Sequence, residues 1–298
     1  MSALRGEWNG LGEGGKKNRN VQSNPTLILH HQTFTTAAGA RYFVKTSRKA
    51  PAMFEAEAAG LNAMLATGAF LRIPRVLTAG PDAGSGSFIV MEHLDLRGGR
   101  GGGARLPQRD LGERLARMHL APPSDPRAAA GAYGFQADNT LGGTFQPNPW
   151  TDDWVDFFRE HRLRHQLRLL NRAELTRPGE VVAERLGDLF TGIAVAPSLL
   201  HGDLWSGNIS IVDGAWSILD PACYYGHHEA EWGMSWCASF GPDFWAGYRS
   251  LIPEDPGFGS RRCLYEAYHK LNHGVLFGGG YLSDAQGLLE GLARTLSG

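Results

Sequence analysis

Asp203, Asn208 and Asp220 are the residues whose types and spacing could do chemistry. In the run His201-Gly202-Asp203-Leu204-Trp205-Ser206-Gly207-Asn208, a carboxylate able to accept a hydroxyl proton stands five positions before an amide able to hold a metal. A second carboxylate, Asp220, follows twelve residues later, after a short apolar strand. Phosphoryl transfer asks little covalent work of a protein. It needs a positioned acceptor, a metal and neutralised charge. Alone, Asn208 or Asp220 would ordinarily be a turn or strand-end residue. Together with Asp203 they read as a base and two hard-oxygen ligands for Mg²⁺ bridging nucleotide phosphates. His201 is expected to brace this loop by hydrogen bonds rather than to move a proton.

The elements before this loop suit the same chemistry. Thr33-Phe34-Thr35-Thr36, Gly39 and Arg41-Tyr42-Phe43-Val44-Lys45 predict a hairpin with β-formers on both arms. Its second arm ends at Lys45, where a kinase carries the lysine that contacts the α- and β-phosphates and pairs with a helix glutamate. The following segment, Phe54 to Leu65, sets Phe54, Ala58, Leu61 and Leu65 on one helical face. It offers Glu55 and Glu57, two positions apart and so on nearly opposite faces. Glu57, one turn before Leu61, is the expected partner of Lys45, with Glu55 left to solvent. Phe88-Ile89-Val90-Met91 predicts a strand, with Glu92-His93-Leu94 leading out of it.

The second part reads as mostly helical. Asp110 to Leu120 carries Leu111, Leu115 and Met118 at helical spacing. Thr151 to Leu170 predicts one long helix capped by Thr151, with Asp152 and Asp153 in its first turn. Its apolar stripe is Trp154, Phe157, Phe158, Leu163, Leu167 and Leu170. Further helices are expected through the 180s, around 229–239, across 260–274 and at the C-terminus.

Composition bounds the function classes. The 298 residues allow one large domain or two lobes. The 29 Lys+Arg against 30 Asp+Glu give a formal charge of −1, so no basic footprint suggests nucleic acid. Cys223, Cys237 and Cys263 cannot all pair and lack zinc spacing, which suits a reduced, cytoplasmic protein. No apolar run has the length of a membrane span, so no membrane partner is expected. Residues 1–24, rich in Gly, Asn and Lys, predict a disordered tail, with an organelle transit peptide as the alternative. The tract Gly98 to Gly103 predicts a flexible excursion.

These motifs together resemble the fructosamine kinase (ketosamine-3-kinase) family, relatives of the aminoglycoside kinases. The matching runs are Met53 to Ala58, Val90-Met91-Glu92-His93-Leu94, Leu111-Gly112-Glu113 through Met118-His119-Leu120, and Tyr133-Gly134-Phe135 with Asp138-Asn139-Thr140. Pro147 to Trp150 with Asp153-Trp154, Leu199 to Asn208, Asp220-Pro221-Ala222 to Gly226-His227, and Leu271-Asn272-His273 complete the match. The His-Gly-Asp-Leu-Trp-x-Gly-Asn form is the specific part, since aminoglycoside and choline kinases do not usually place Trp there.

The resemblance implies an α+β, bilobal protein-kinase-like fold with a small β-rich N-lobe over 25–92, a larger mainly helical C-lobe over 93–298, and the active cleft between them. It implies ATP and Mg²⁺ as cofactors and phosphorylation of the 3-hydroxyl of ketosamines, the fructosamine or ribulosamine adducts on glycated amines or proteins. The phosphorylated adduct then eliminates and frees the amine. Met91, Glu92, His93 and Leu94 would meet adenine, and Glu231 would anchor the catalytic loop. Trp205 either packs its ring on the sugar or the cationic amine or braces the loop as a core residue. His227 and His273 are expected to be satisfied structural histidines.

The chain departs from the resemblance upstream. Related sequences carry a Gly-Gly-Ser/Cys-Ile loop about twenty residues before the strand lysine, where Pro25-Thr26-Leu27-Ile28-Leu29 stands here. Glycine allows positive φ and close approach to phosphate; proline and β-branched residues do not. Two alternatives therefore stand beside the ketosamine kinase. One is a small-molecule kinase of the same fold, aminoglycoside-type, against which Trp205 argues. The other is a pseudoenzyme with impaired nucleotide binding.

Overall fold

In a computed structural model the described residues are 29–48, 52–82, 86–96 and 106–298. The expected tail over 1–24, most of the Pro25–Leu29 phosphate-loop position and the Gly98–Gly103 tract lie outside them. The expected hairpin forms: β1 (Leu29–Thr35) pairs antiparallel with β2 (Arg41–Ser47), Thr33 opposite Phe43 and His31 opposite Lys45. Gly39, at φ +81°, closes the turn in a conformation glycine adopts without steric cost. After α1 (Met53–Ala66), β3 (Val76–Pro81) and β4 (Ser87–Glu92) complete a four-stranded sheet in the order β1-β2-β4-β3.

The chain divides into two compact units. Among the described residues, one holds those up to Glu55 with those of 76–94, and the other holds those of 56–75 with those of 95–298. In the first, central β2 and β4 supply the core through Val44, Ile89, Val90 and Met91, each at most 8 % exposed. Helix α1 buries Phe54, Ala58 and Leu61 as its spacing predicts. Leu65, however, is exposed and Met64 is buried in its place. The last turn presents its 64 side instead, so the stripe read from 3.6-residue periodicity ends one turn early.

In the second unit, α2 (Gln108–Leu120) buries Leu111, Leu115 and Met118, and a short α3 (Pro126–Ala129) is capped by Asp125. A small hairpin, β5 (Asn139–Leu141) with β6 (Thr144–Gln146), follows. The expected single helix over 151–170 is instead α4 (Trp154–Phe158), a π-helical turn over Arg159–Leu163, and α5 (Arg164–Leu170). Thr151 is not the cap, because its backbone bridges Tyr133 (2.8 and 2.9 Å). Asp153 caps instead, its carboxylate accepting from Asp156 N at 2.8 Å. The π turn carries Arg162, fully buried, whose guanidinium donates to Pro147 O and Asn148 Oδ1 at 2.6 Å each. It lies over the rings of Phe157 and Tyr224 at 4.5 and 4.2 Å. Widening the helix by one residue lets that side chain reach inward between two aromatic faces.

The chain continues through α6 (Ala173–Glu184), β7 (Ser198–Leu200), the β8–β9 hairpin (Ile209–Val212 and Ala215–Ile218) and β10 (Tyr224–Gly226), which pairs with β7. The helix expected around 229–239 is mostly a 3₁₀ stretch, His228–Met234, ending in the short α7 (Ser235–Ala238). Then come α8 (Pro242–Arg249), α9 (Phe258–Phe277) and α10 (Gly280–Ser297). Two glycines let α2 and α8 meet backbone to backbone. A Cβ on Gly112 would fall 2.2 Å from Phe244 O, and one on Gly247 would fall 2.1 Å from Arg109 O. Around Trp232, 1 % exposed, the rings of Tyr248 and Phe244 pack edge-on at 4.6 and 5.7 Å. Such pairs contribute about 0.5–1.5 kcal/mol each beyond their buried area.

Candidate active site

The single apolar strand expected between Asn208 and Asp220 is a two-stranded hairpin, and this is what joins the two residues. Asp213 (φ +51°) and Gly214 (φ +74°) form the two-residue turn, the Asp-Gly pair that right-twisted hairpins favour. The returning strand brings Leu219 N to Asn208 O at 3.0 Å. Asp220 thus follows directly on the backbone link to Asn208. Its own φ is +55°, a left-handed conformation costing about 1–3 kcal/mol in a non-glycine residue and common where function holds a side chain in place.

The loop before it is tied at both ends. Gly202 has φ +79°, and a Cβ there would fall 2.3 Å from Ala222 O, so only glycine fits. Ala222 N donates to His201 O at 2.8 Å, linking the segment after Asp220 to the start of the loop. His201 is fully buried; its Nε2 donates to Leu219 O (2.8 Å) and its Nδ1 accepts from Asp203 N (3.2 Å). Burial holds its imidazole below the ordinary range, against the pull of Glu231 and Asp220. Each nitrogen is engaged with the backbone, so the ring braces the loop.

Glu231, 2 % exposed, accepts from His201 N at 2.7 Å through Oε2 and from Gly202 N at 2.9 Å through Oε1. Burial alone would raise its carboxyl, but hydrogen bonds and charge from His119 and His201 hold it below the ordinary value. His119 Nε2 donates to Glu231 Oε2 at 3.3 Å, and its Nδ1 lies 2.8 Å from the Tyr248 hydroxyl. His119 and Tyr248 were not singled out from sequence. The available signal was a histidine on the buried face of α2 beside Leu115 and Met118. Its partner Tyr248 arrives only through the close α2–α8 packing at Gly112 and Gly247.

Asp203 is half-buried, and its carboxyl is pushed up to about 7 by burial first and then by the charges of Asp220 and Glu231. Asn208 Nδ2 donates to Asp203 O (2.9 Å) and reaches its Oδ2 at 3.5 Å, which leaves the amide Oδ1 as an acceptor. An amide oxygen on Asn208 and a carboxylate on the exposed Asp220, joined through the Leu219 N–Asn208 O backbone link, are both hard-oxygen donors of the kind that suits Mg²⁺. Trp205 is half-buried, and its ring lies over Gly207, where a Cβ would meet it at 2.2 Å.

A polar network backs the segment after Asp220. Asn139 Nδ2 donates to Cys223 O (2.8 Å), Gln146 Nε2 to Asn139 Oδ1 (2.7 Å), and the Tyr268 hydroxyl to Gln146 Oε1 (2.5 Å). His273 Nδ1 meets His269 O at 2.8 Å. His227 departs from expectation: Nδ1 meets the Tyr265 hydroxyl at 2.8 Å, but Nε2 is buried without a partner among the described residues.

In the smaller unit, Lys45 is 5 % exposed in the sheet, opposite Ile89. Met91 is buried and Glu92, His93 and Leu94 are half-buried, with His93 Nε2 3.1 Å from the Arg41 guanidinium. On α1, Glu55 is exposed and Glu57 half-buried.

Comparison with known proteins places these features. The family model described as Fructosamine kinase matches residues 15–295. A rice (Oryza sativa subsp. indica) relative named protein-ribulosamine 3-kinase, chloroplastic, is 47 % identical over 271 residues, covering 89 % of this chain and 76 % of its own. A solved structure from Haemophilus somnus 129PT, named for the fructosamine-3-kinases, superposes with a TM-score of 0.79 at 26 % identity, covering 98 % of this chain and 96 % of its own. The aminoglycoside phosphotransferase APH(4)-Ia, at 17 % identity, a TM-score of 0.56 and full coverage of both chains, shares the fold. That fold is protein-kinase-like, as expected, with a small strand-rich unit and a larger helical one.

Proposed function

This chain belongs to the fructosamine kinase family, phosphotransferases with an alcohol acceptor, and we propose that it uses ATP to phosphorylate the 3-hydroxyl of ketosamines on glycated amines or proteins. The observation that supports this reading is the cluster of Asp203, Asn208 and Asp220 on a loop clamped by Glu231. Asp203, with its carboxyl near neutrality, takes the proton of the 3-hydroxyl as that oxygen bonds to the γ-phosphorus and the bond to ADP breaks. His201 holds the Asp203 backbone and Glu231 holds the two residues before it, which fixes the loop that presents the carboxylate.

Asn208 and Asp220 are the residues that would hold Mg²⁺, which when bound neutralises phosphate charge. Lys45 would contact the α- and β-phosphates, with Glu57 as its expected partner, and Met91 to Leu94 would offer backbone groups to adenine. Trp205, whose ring lies over Gly207, would offer its other face to the sugar. The 3-phosphate is a leaving group, so the product loses inorganic phosphate by β-elimination, and water then hydrolyses the resulting imine to the free amine and a deoxy dicarbonyl sugar, a deglycation. Action in the cytoplasm belongs to the same proposal. Among the described residues no helix is long and apolar enough to cross a membrane.

The position of transfer is tested with a 3-deoxy adduct. ATP consumption with a ribulosamine or fructosamine adduct that vanishes with its 3-deoxy analogue supports the assignment. Equal consumption with both would contradict it.

A further inference from the structure

Beside the catalytic loop lies an aromatic patch that the proposed chemistry does not use. Helix α7 packs on the 3₁₀ turn Ser206–Asn208 and carries Trp236 and Cys237. Burial and then the charge of Asp203 push the Cys237 thiol up to about 11, so this short helix stands within electrostatic reach of the base. The Trp236 ring meets His273 of α9 at 5.5 Å and Tyr281 of α10 at 6.2 Å. Phe277 extends the cluster, 6.1 Å from Tyr281. Trp236 is 38 % exposed and Phe277 64 %, which is unusual for large rings grouped together.

The patch already holds one alkylammonium. Lys270 Nζ sits 3.7 Å over the Trp236 ring and 2.9 Å from Asp284 Oδ2. Because Asp284 balances that charge, the remaining exposed surface is aromatic and close to neutral. Such a surface favours a methylene stem, which gains apolar contact there without needing a charged partner. The rim is open: Gly278 and Gly279, between α9 and α10, and Gly280 at the start of α10 have nothing within 4 Å of a Cβ position.

A hydroxyl delivered to Asp203 must carry the rest of its molecule across the neighbouring surface. We propose that Trp236, Phe277 and Tyr281 form a specificity subsite for the alkyl stem of the amine that bears the sugar. This deepens the ketosamine kinase reading and rests on it. The stem of a glycated lysine lies along the rings of Phe277 and Tyr281, and an adduct of a short amine leaves them bare.

The test compares kcat/KM for one ketose on Nα-acetyl-lysine amide with the same ketose on methylamine. The wild type should favour the long stem by about tenfold, the scale of one well-buried apolar group. Phe277→Ala, at an exposed position, should reduce that ratio toward one, and Phe277→Tyr, which keeps the ring, should preserve it. No stem preference in the wild type, or equal losses for both adducts in Phe277→Ala, would overturn the subsite. No turnover of either adduct by the wild type would overturn the kinase reading itself and the subsite with it.

Discussion

At the scale of single residues, the central quantity is the charge state of Asp203. As the proposed base, a carboxyl titrating near pH 7 is matched to that task, since it is ionised enough to accept and basic enough to pull. Its raised value comes from burial and two neighbouring carboxylates, Asp220 and Glu231. Because kcat/KM reports the free enzyme, it should rise with pH through about 7. One unit below that midpoint about a tenth of the carboxyl is ionised, so the value at pH 6 should be about tenfold under the plateau above pH 8. A profile flat from pH 5.5 to 8 would contradict the assignment. Glu231 makes a second prediction at this scale. Removing its carboxylate strands the buried N–H groups of His201 and Gly202. Glu231→Ala should lose about 2–4 kcal/mol in denaturant unfolding, against under 0.5 for a surface glutamate. Loss within the surface range would show that water or another group takes its place.

Elements explain how the spacing of the proposed metal ligands brings them together and why their support was hidden. Asp203, Asn208 and Asp220 were legible because one loop and one hairpin place them, and both are local. The Asp213-Gly214 turn sets the register, so the spacing carries the geometry. His119 and Tyr248 lie 129 positions apart in contact. That contact depends on Gly112 and Gly247 letting α2 and α8 touch, which no local pattern reveals. Gly112→Ala should therefore act at a distance. The added methyl must push α2 off Phe244, stretching the Tyr248–His119–Glu231 chain. We expect a loss of about 1–3 kcal/mol in thermal unfolding together with a fall in kcat, whereas Gly→Ala in an unhindered helix stabilises by up to about 1 kcal/mol. A stabilised, fully active variant would refute this. The misplaced helix start at Thr151 has a similar origin. Thr151 and Asp153 are both good caps, and the tertiary bridge to Tyr133 decides between them.

For the whole molecule, the order of a β-hairpin with lysine, a helix with glutamate and a strand suggested the small lobe, and the family resemblance carried the protein-kinase-like fold. Periodicity failed mainly where backbone departs from the α-helix. The π turn at Arg159–Leu163 admits a buried arginine, and the 3₁₀ stretch His228–Met234 aims Glu231 at the loop. Neither has a signal in a 3.6-residue pattern. The central claim for the molecule is that this chain transfers phosphate from ATP to a ketosamine with Asp203 as base. ATP turnover with a lysine ribulosamine adduct tests it most directly, wild type beside Asp203→Asn, with ATP binding titrated for both. The wild type should turn over, and the variant should lose about 10²-fold or more while keeping nucleotide affinity within a fewfold of wild type. A wild type that binds ATP without turnover, or a variant that keeps it, would contradict the account.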